Sequence, residues 1–328
     1  MYKRKSKTYS TRKLDKATGN LELGKAHFKN KLNFVTLSWG KRGEKFIWSS
    51  KSKAFPYVVT RPLSFLSDNM WDDMDFVICA GRAVTIPKHF QNSQEAKNAL
   101  KRTKGASIIF EFLGAGGRSW SVLWKDRKGI HFNTIRSHQI IAESGEVDKK
   151  TAGSSLKYVL DNNEGLLHFK NQNYRLQLFI CGENNFIKKT AAKGKKSLFA
   201  LGLNKLALKT PTPKFCADEK WVLINPSHRP YTPVISGGGA NYNTVGATLP
   251  TVARMIKDRK YNDGTYPPLV IIHVNNYSGE WSQKQATRVF TREGGLRCRK
   301  YVREFRKVDE EDDRPVFISR KFHINLSV

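Results

Sequence analysis

Short apolar runs of strand length dominate the hydrophobic pattern of the chain. They are rich in β-branched and aromatic residues and are bordered by glycine, asparagine, aspartate or proline, which is typical of β-strands. The clearest alternation lies near the carboxyl terminus, where Phe322, Ile324 and Leu326 share one face of a predicted strand. The pattern predicts strands at residues 32–39, 45–48, 56–60, 75–86, 107–113, 119–124, 130–135, 174–180, 221–225, 269–275, 288–291 and 320–326.

Helix signals are fewer. Residues 94–104 follow Ser93, which can cap a helix, and stop at Gly105; residues 249–260 follow Thr248 and carry a proline in the first turn. A third apolar segment, 197–208, is interrupted by a glycine. Because strands outnumber helices and do not alternate regularly with them, we expect a mainly β or α+β fold. Its body would be a strand-rich sandwich, similar to a jelly roll, with two or three helices.

Two segments divide the chain into candidate parts. Residues 1–20 are basic and almost free of apolar side chains, which predicts a flexible arm. Residues 210–214 read Thr-Pro-Thr-Pro-Lys and form a candidate linker, because two prolines so close together cannot continue a helix. The strand-rich stretches 21–209 and 215–328 are then either two domains or two halves of one.

The charge of the chain excludes several classes of protein. Its 328 residues include 58 Lys and Arg against 28 Asp and Glu, a formal net charge of +30. Such an excess is unfavourable for a compact metabolic enzyme and attracts polyanions. With 39% hydrophobic and 11% aromatic residues, the chain has enough apolar surface for a packed core.

Other features of the composition concern the compartment. No apolar run has the length of a membrane span, and the basic first residues lack the apolar stretch of a secretory signal. The four cysteines have no metal-binding spacing, which suggests a reducing environment. We therefore expect no membrane partner, no signal-peptide secretion, and a location in the cytoplasm, the nucleus or a virion.

Three clusters hold much of the positive charge. They lie at residues 1–16, at 184–217, which contain eight lysines and no acid, and at 296–307, which contain six basic residues and one acid. Such clustering is typical of a surface that binds phosphate. The predicted nucleic-acid-binding residues are Lys3, Arg4, Lys5, Lys7, Arg12, Lys13, Lys188, Lys189, Lys193, Lys195, Lys196, Arg297, Arg299, Lys300, Arg303, Arg306 and Lys307.

Tryptophans accompany basic residues on one predicted strand. Trp120 and Trp124 share a face with Arg118 and with Val122 between them. The pattern predicts stacking platforms for unpaired bases. The alternative, two core tryptophans, stays open because Val122 is apolar.

Four acidic residues give half of a nuclease pattern. Asp72, Asp73 and Asp75 precede Glu111 on the strand at 107–113, but the lysine expected two positions after the glutamate is Leu113. If the chain is a metal-dependent nuclease, these four carboxylates are its predicted catalytic residues and Mg²⁺ is its cofactor. Otherwise we expect no cofactor and no metal site. His273, in an apolar strand, is expected to be a hydrogen-bonded core residue.

The layout, a basic arm ahead of a strand-rich body, resembles that of small-virus capsid proteins with jelly-roll shells, although much of the charge here lies in the body. We predict a nucleic-acid-binding homo-oligomer that coats or packages DNA or RNA, with a capsid-type subunit as one form of this. The alternative is an enzyme that acts on DNA or RNA, such as a metal-dependent nuclease of a mobile element or restriction system. A regulator is disfavoured, because the two good helices are too far apart to form a helix-turn-helix.

Overall fold

A computed structural model describes residues 21–25, 31–40, 60–81, 84–85, 94–114, 117–136, 166–170, 174–178, 220–227, 234–236, 239–241, 269–277, 283–284, 286–292, 296–308 and 315–326. Several predictions lie outside these residues. They are the arm, the linker, the elements at 45–48, 197–208 and 249–260, and the basic residues of 1–16 and 184–217. Of the strand predicted at 56–60 only Thr60 is described, and it begins a helix instead.

One mixed sheet combines strands from both ends of the chain. In spatial order its strands are β16 (Arg303–Val308), β17 (Pro315–Asn325), β2 (Lys31–Trp39), β3 (Phe76–Cys79), β5 (Ser107–Gly114), β6 (Gly117–Asp126) and β7 (Gly129–Arg136), with β4 (Val84–Thr85) paired to β5. The strands β2, β3 and β5 run parallel, and those on either side of them pair antiparallel.

A second mixed sheet packs against the first. In spatial order its strands are β1 (Leu21–Lys25), β8 (Leu166–Lys170), β9 (Tyr174–Leu178), β10 (Lys220–Pro226), β13 (Leu269–Val274), β14 (Thr287–Arg292) and β15 (Leu296–Arg299). Here β9, β10 and β13 run parallel. A separate antiparallel hairpin is formed by β11 (Val234–Ser236) and β12 (Gly239–Asn241).

The described helices are short: α1 (Thr60–Ser64), a 3₁₀ turn (Asp68–Met70) and α2 (Gln94–Arg102). The end of α2 follows a common capping pattern. The amide of Gly105 donates to the carbonyl of Leu100 at 2.9 Å, and that of Lys104 donates to Lys101 at 3.2 Å. Lys104 itself takes the left-handed conformation, with φ at 51°, and Gly105 follows at 87°. The predicted stop at Gly105 is confirmed, but a lysine occupies the position that most often holds glycine.

The core lies between the two sheets. Phe34 on β2 stacks against Phe76 on β3 at 5.4 Å and against Phe322 on β17 at 5.1 Å, which are the residues directly opposite it in the two ladders. Val222 and Ile272 of the second sheet belong to the same buried cluster. Burying one such side chain contributes roughly 1.5–3 kcal/mol, so this layer is a principal source of stability.

Polar contacts tie the sheets together at the carboxyl ends of their parallel strands. The amide of Tyr277 donates to the carbonyl of Trp39 at 3.0 Å, and the amide of Trp39 donates to Oδ1 of Asn276 at 3.2 Å. Gly81 bridges in the same way, because its amide donates to Ser227 at 2.8 Å and its carbonyl accepts from Asn276 at 2.9 Å. The two sheets are therefore fixed to each other by hydrogen bonds as well as by packing.

The predicted fold class is confirmed, because the described residues form two packed sheets with few and short helices. The jelly-roll likeness does not extend to the topology. A jelly roll is antiparallel, whereas the middle of each sheet here is parallel. Within the described residues, no helix is both long enough and apolar enough to cross a membrane.

The two stretches on either side of residues 210–214 are interleaved. Strands β1, β8 and β9 precede this segment and join a sheet with strands that follow it, while β16 and β17 complete the sheet of β2. They are parts of one packed body, since each sheet needs strands from both stretches.

Candidate nucleic-acid interface

The segment 296–308 forms a basic edge of the molecule. The chain leaves the second sheet at Arg299, the end of β15, and enters the first sheet at Arg303, the start of β16. In the first sheet β16 is the last strand, and β17 is its partner among the described residues. Six of the predicted phosphate-binding residues therefore lie at one margin of the sandwich.

The five basic side chains of 299–307 differ in how far they are already engaged. Lys300 and Arg303 are exposed and have no ion-pair partner among the described residues. Arg299 donates from Nε to Oγ1 of Thr291 at 2.6 Å, and Nζ of Lys307 lies 4.9 Å from the ring centre of Phe65. Lys300 and Arg303 are thus the cations most available to a ligand.

The face of β15 agrees with the prediction for its two arginines. Arg297 lies opposite Thr291 and Arg299 opposite Val289, so both belong to one face, while Cys298 belongs to the other. The hydrogen bond from Arg299 to Thr291 shows that the side chain of Thr291 on β14 lies on the same side of the sheet as that of Arg299.

The one acid of the segment, Glu304, is held by two arginines. Arg320 donates from Nε to Oε2 at 2.7 Å, and Arg306 donates from Nε to Oε1 at 2.5 Å. Burial alone would raise the pKa of Glu304, but the hydrogen bonds from Arg320 and Arg306 hold that pKa below its usual value of 4.5. The carboxylate is therefore charged at neutral pH, and each of its oxygens accepts a hydrogen bond from an arginine. Its negative charge is paired with Arg320 and Arg306 rather than with Lys300 or Arg303.

Exposed apolar side chains lie beside these cations. Among the described residues the exposed large hydrophobics are Phe65 at 41%, Tyr301 at 41% and Val302 at 58%. Tyr301 and Val302 come directly between Lys300 and Arg303, and Phe65 packs near the other end of β16 through Phe317 at 6.1 Å. The guanidinium of Arg320 lies 5.0 Å from the ring centre of Tyr301, and Phe322 meets that ring edge-on. Tyr301 is an exposed aromatic residue that the sequence interpretation did not single out, although it stands in the sequence Lys-Tyr-Val-Arg.

The structure corrects the stacking prediction for two tryptophans. Trp120 is 3% exposed and Trp124 is 8% exposed, and both belong to the hydrophobic core. The ring of Trp124 is covered by His131, which lies opposite it on β7 at 4.3 Å. Neither ring face is open to a base, so the alternative of two core tryptophans holds.

The four candidate nuclease carboxylates do not converge. Asp72 is bound to Lys104 at 2.5 Å, and Asp75 is buried, where Oδ2 accepts from the amide of Asn33 at 2.8 Å. Asp75 lies beside Ser107 at the start of β5, whereas Glu111 is four residues further along that strand, about 13 Å away. Within the described residues, no group of three or more His, Cys, Asp or Glu side chains could hold a metal ion. The prediction of one shared Mg²⁺ site at Asp72, Asp73, Asp75 and Glu111 is therefore wrong.

His273 is a buried core residue, as expected. Its Nδ1 lies 2.8 Å from Oδ1 of Asn225 and 3.0 Å from the carbonyl of the same residue. Burial lowers the pKa of His273 to about 3, so the ring is neutral. The contact links the neighbouring strands β10 and β13 of the second sheet, so this histidine does not belong to the basic edge.

Comparisons with known proteins leave the family open. No protein-family model matches the chain, and no curated protein matches it in sequence. A glutamine-dependent NAD(+) synthetase from Cytophaga hutchinsonii superposes with a TM-score of 0.32 and 8% identity, over 81% of this chain and 40% of the synthetase. An adenosine kinase from Trypanosoma brucei brucei superposes with a TM-score of 0.17 and 9% identity, over 89% of this chain and 86% of the kinase. The chain thus spans well under half of the synthetase, and both likenesses are too weak to carry an argument about fold or function.

Proposed function

We propose that this protein binds nucleic acid along β16 and, through that surface and its other basic segments, coats or packages the nucleic acid. The observation that carries the proposal is the exposed side chain of Tyr301, which stands in the sequence between two exposed cations, Lys300 and Arg303. Single-strand-binding surfaces combine these two features, because cations follow the phosphates while aromatic rings stack on bases.

The charge balance at this edge supports the same conclusion. Glu304 is the one acid in 296–307, and its carboxylate is occupied by Arg320 and Arg306. Within 296–307 the six basic residues therefore outnumber this acid and contribute to the net charge of +30, while five acids follow in the sequence at 309–313. An anion with regularly spaced charges, such as a phosphate backbone, is the ligand that such a surface attracts most strongly.

The test is a salt titration of binding to a fluorescent 20-nucleotide single strand, followed by anisotropy. The double variant Lys300→Ala with Arg303→Ala should lower the slope of log K against log salt by about 1.4, since each phosphate contact on a single strand contributes about 0.7. The matched control removes two exposed cations from the β6–β7 hairpin, Lys125 at the end of β6 and Arg127 in the turn, as Lys125→Ala with Arg127→Ala, and should leave the slope unchanged.

Three results decide the proposal. Equal slopes for both double variants would show that β16 is not the phosphate-binding surface. No salt-sensitive binding by the wild type would remove the proposed function itself. Incubation of the same strands with Mg²⁺ tests the nuclease alternative; intact strands, together with large complexes in light scattering, are expected for a coating homo-oligomer.

A further inference from the structure

An exposed histidine lies on β17, beside the basic edge. Arg303 on β16 lies opposite Lys321 on β17, and His323 is the next residue on the same face of β17. Arg303 and His323 are both exposed, and diagonal neighbours of this kind in an antiparallel pair are about 7–8 Å apart. This separation is within about one Debye length at physiological salt, so the two side chains act on the same bound charge.

A hydrogen bond from one ring nitrogen fixes the orientation of this histidine. Nδ1 of His323 lies 2.7 Å from Oδ1 of Asn33, its opposite residue on β2. Because an amide oxygen only accepts hydrogen bonds, Nδ1 carries a hydrogen whether the ring is neutral or charged. Within the described part of the chain, His323 makes no other hydrogen bond. Nε2 is therefore an acceptor in the neutral ring and becomes a donor, in the same orientation, when the ring is protonated.

The charges around the ring keep it neutral at neutral pH. Partial burial and the charges of Lys321 and Lys31 lower the pKa of His323. Asp73 acts in the opposite direction without outweighing them. Nζ of Lys321 is held in place because it donates to two backbone carbonyls, at 3.0 and 3.3 Å. The charged groups that surround the histidine are Lys31 on β2, Lys321 on β17, Arg303 on β16, Asp72 and Asp73 before β3, and Lys104, which pairs with Asp72.

The two protonation states of His323 differ in what they offer to a phosphate. In the neutral ring, Nε2 presents a lone pair, and a phosphate oxygen is also an acceptor, so the two do not bind each other. In the protonated ring, Nε2 presents an N–H group and a positive charge, which is the combination that forms strong hydrogen bonds to phosphate. A phosphate held by Arg303 then has a second cation within reach.

We infer that His323 is a contact for a backbone phosphate that forms only when the ring is protonated, so that nucleic acid binds the basic edge more tightly below neutral pH. This inference rests on the proposed function, since it supposes a nucleic-acid strand on β16. Binding and protonation favour each other, because a phosphate beside the ring raises the pKa of His323 in the complex. The site therefore couples the retention of nucleic acid to the acidity of the surroundings.

The experiment measures binding of a labelled 12-nucleotide homopolymer of dT at pH 5.5 and at pH 7.5, each over a range of salt concentrations. Thymine does not titrate between these values, so the charge of the probe stays constant. In acid, the wild type should bind about two- to fivefold more tightly at fixed salt, as expected for one exposed ion pair. Its slope of log K against log salt should steepen by up to about 0.7, the contribution of one further phosphate contact.

Three variants separate this histidine from the other histidines of the chain. His323→Gln can still donate to Asn33 but cannot become charged, so it should lose the gain in acid. His323→Lys carries a charge at both pH values and should bind at pH 7.5 as tightly as the wild type at pH 5.5. The control, His131→Gln, removes a histidine from the β6–β7 hairpin and should keep the gain of the wild type.

Salt-sensitive binding by the wild type that is equal at both pH values would overturn the inference and leave the proposed function intact. A gain in acid that His323→Gln retains would also overturn it, since another group would then be responsible. So would a gain that appears only in Asp73→Asn, because that carboxylate would then neutralise the protonated ring. If His323→Lys binds no more tightly than the wild type at pH 7.5, charge at this position does not reach the strand and the inference is wrong. No salt-sensitive binding at either pH would overturn both the inference and the proposed function.

Discussion

The basic edge at 296–308 and the β6–β7 hairpin have similar amino-acid compositions, but their aromatic side chains differ in exposure. Both place aromatic side chains beside several lysines and arginines. On the hairpin, Trp124 is covered by His131, and the cations Lys125 and Arg127 stand alone at the surface. On the β16 edge, Tyr301 keeps 41% of its surface exposed between its two cations. Aromatic residues beside basic residues in the sequence can therefore be covered, as Trp124 is, or partly exposed, as Tyr301 is.

The cause of this difference is position in the sheet. Trp124 belongs to a strand with a partner on each side, and the residue opposite it on β7 is an aromatic ring of suitable size. His131 is in turn held by Asp126 at 2.8 Å. Tyr301 instead lies on the connection between the two sheets, where the neighbours Arg320 and Phe322 cover one part of the ring.

The largest effect expected from this comparison is on stability. Trp120→Ala should lower the free energy of unfolding by about 3–5 kcal/mol, because it leaves a cavity in the core. Tyr301→Ala should lower it by less than about 1 kcal/mol, because half-exposed side chains bury little surface. Urea denaturation of both variants measures the difference. Equal losses would mean that the two aromatic sites are not distinguished by burial.

The next largest effect is on binding, where we expect the exposed Tyr301 to matter more than the buried tryptophan. Tyr301→Ala should weaken binding of a single strand about tenfold, since one stacked base contributes about 1–3 kcal/mol. Tyr301→Phe keeps the ring and should bind within about twofold of the wild type. If the phenylalanine variant binds as weakly as the alanine variant, the hydroxyl and not the ring face makes the contact, and the platform interpretation is wrong.

A smaller effect concerns the ion pairs behind the edge. Glu304→Gln should cost about 1–2 kcal/mol at pH 7, because Arg320 is buried and loses its charged partner. The pKa of Glu304 is lower in the folded state than its usual 4.5, so its contribution is complete above that pH and is lost as pH falls through the folded pKa. Unfolding measured from pH 7 to pH 3 should show the wild type and the variant converging in acid. A gap that stays constant down to pH 3 would show that the charge of Glu304 is not responsible.

The sequence patterns predicted much of the local structure. The strands at 32–39, 107–113 and 269–275 are confirmed to within one residue at either end, because β-branched alternation and turn residues are local signals. The alternation of Phe322 and Ile324 with exposed His323 is confirmed as well. By contrast, β16 reads Arg-Glu-Phe-Arg-Lys-Val and was not predicted, since its charged side chains mask its strand character.

The predictions that were wrong concern residues whose positions depend on contacts with parts of the chain far away in the sequence. Nothing near Asp75 and Glu111 in the sequence indicates that they lie toward opposite ends of neighbouring strands. The burial of Trp120 and Trp124 depends on which face of β6 meets the rest of the core, and alternation gives the faces without saying which is inner. Parallel pairing within each sheet likewise depends on long connections that carry no local pattern.

The pairing of β17 has a consequence for the order in which the chain can fold. This strand pairs with β2 from Phe317 opposite Trp39 to Asn325 opposite Lys31, although the two strands are separated by most of the sequence. It also lies inside its sheet, between β16 and β2. During synthesis β2 emerges early and must wait for β17 before its edge is covered, and high contact order of this kind slows folding. A nascent chain stalled before residue 315 would leave the backbone hydrogen-bonding groups along this edge of β2 unpaired, and we expect it to bind chaperones until the last strand is made.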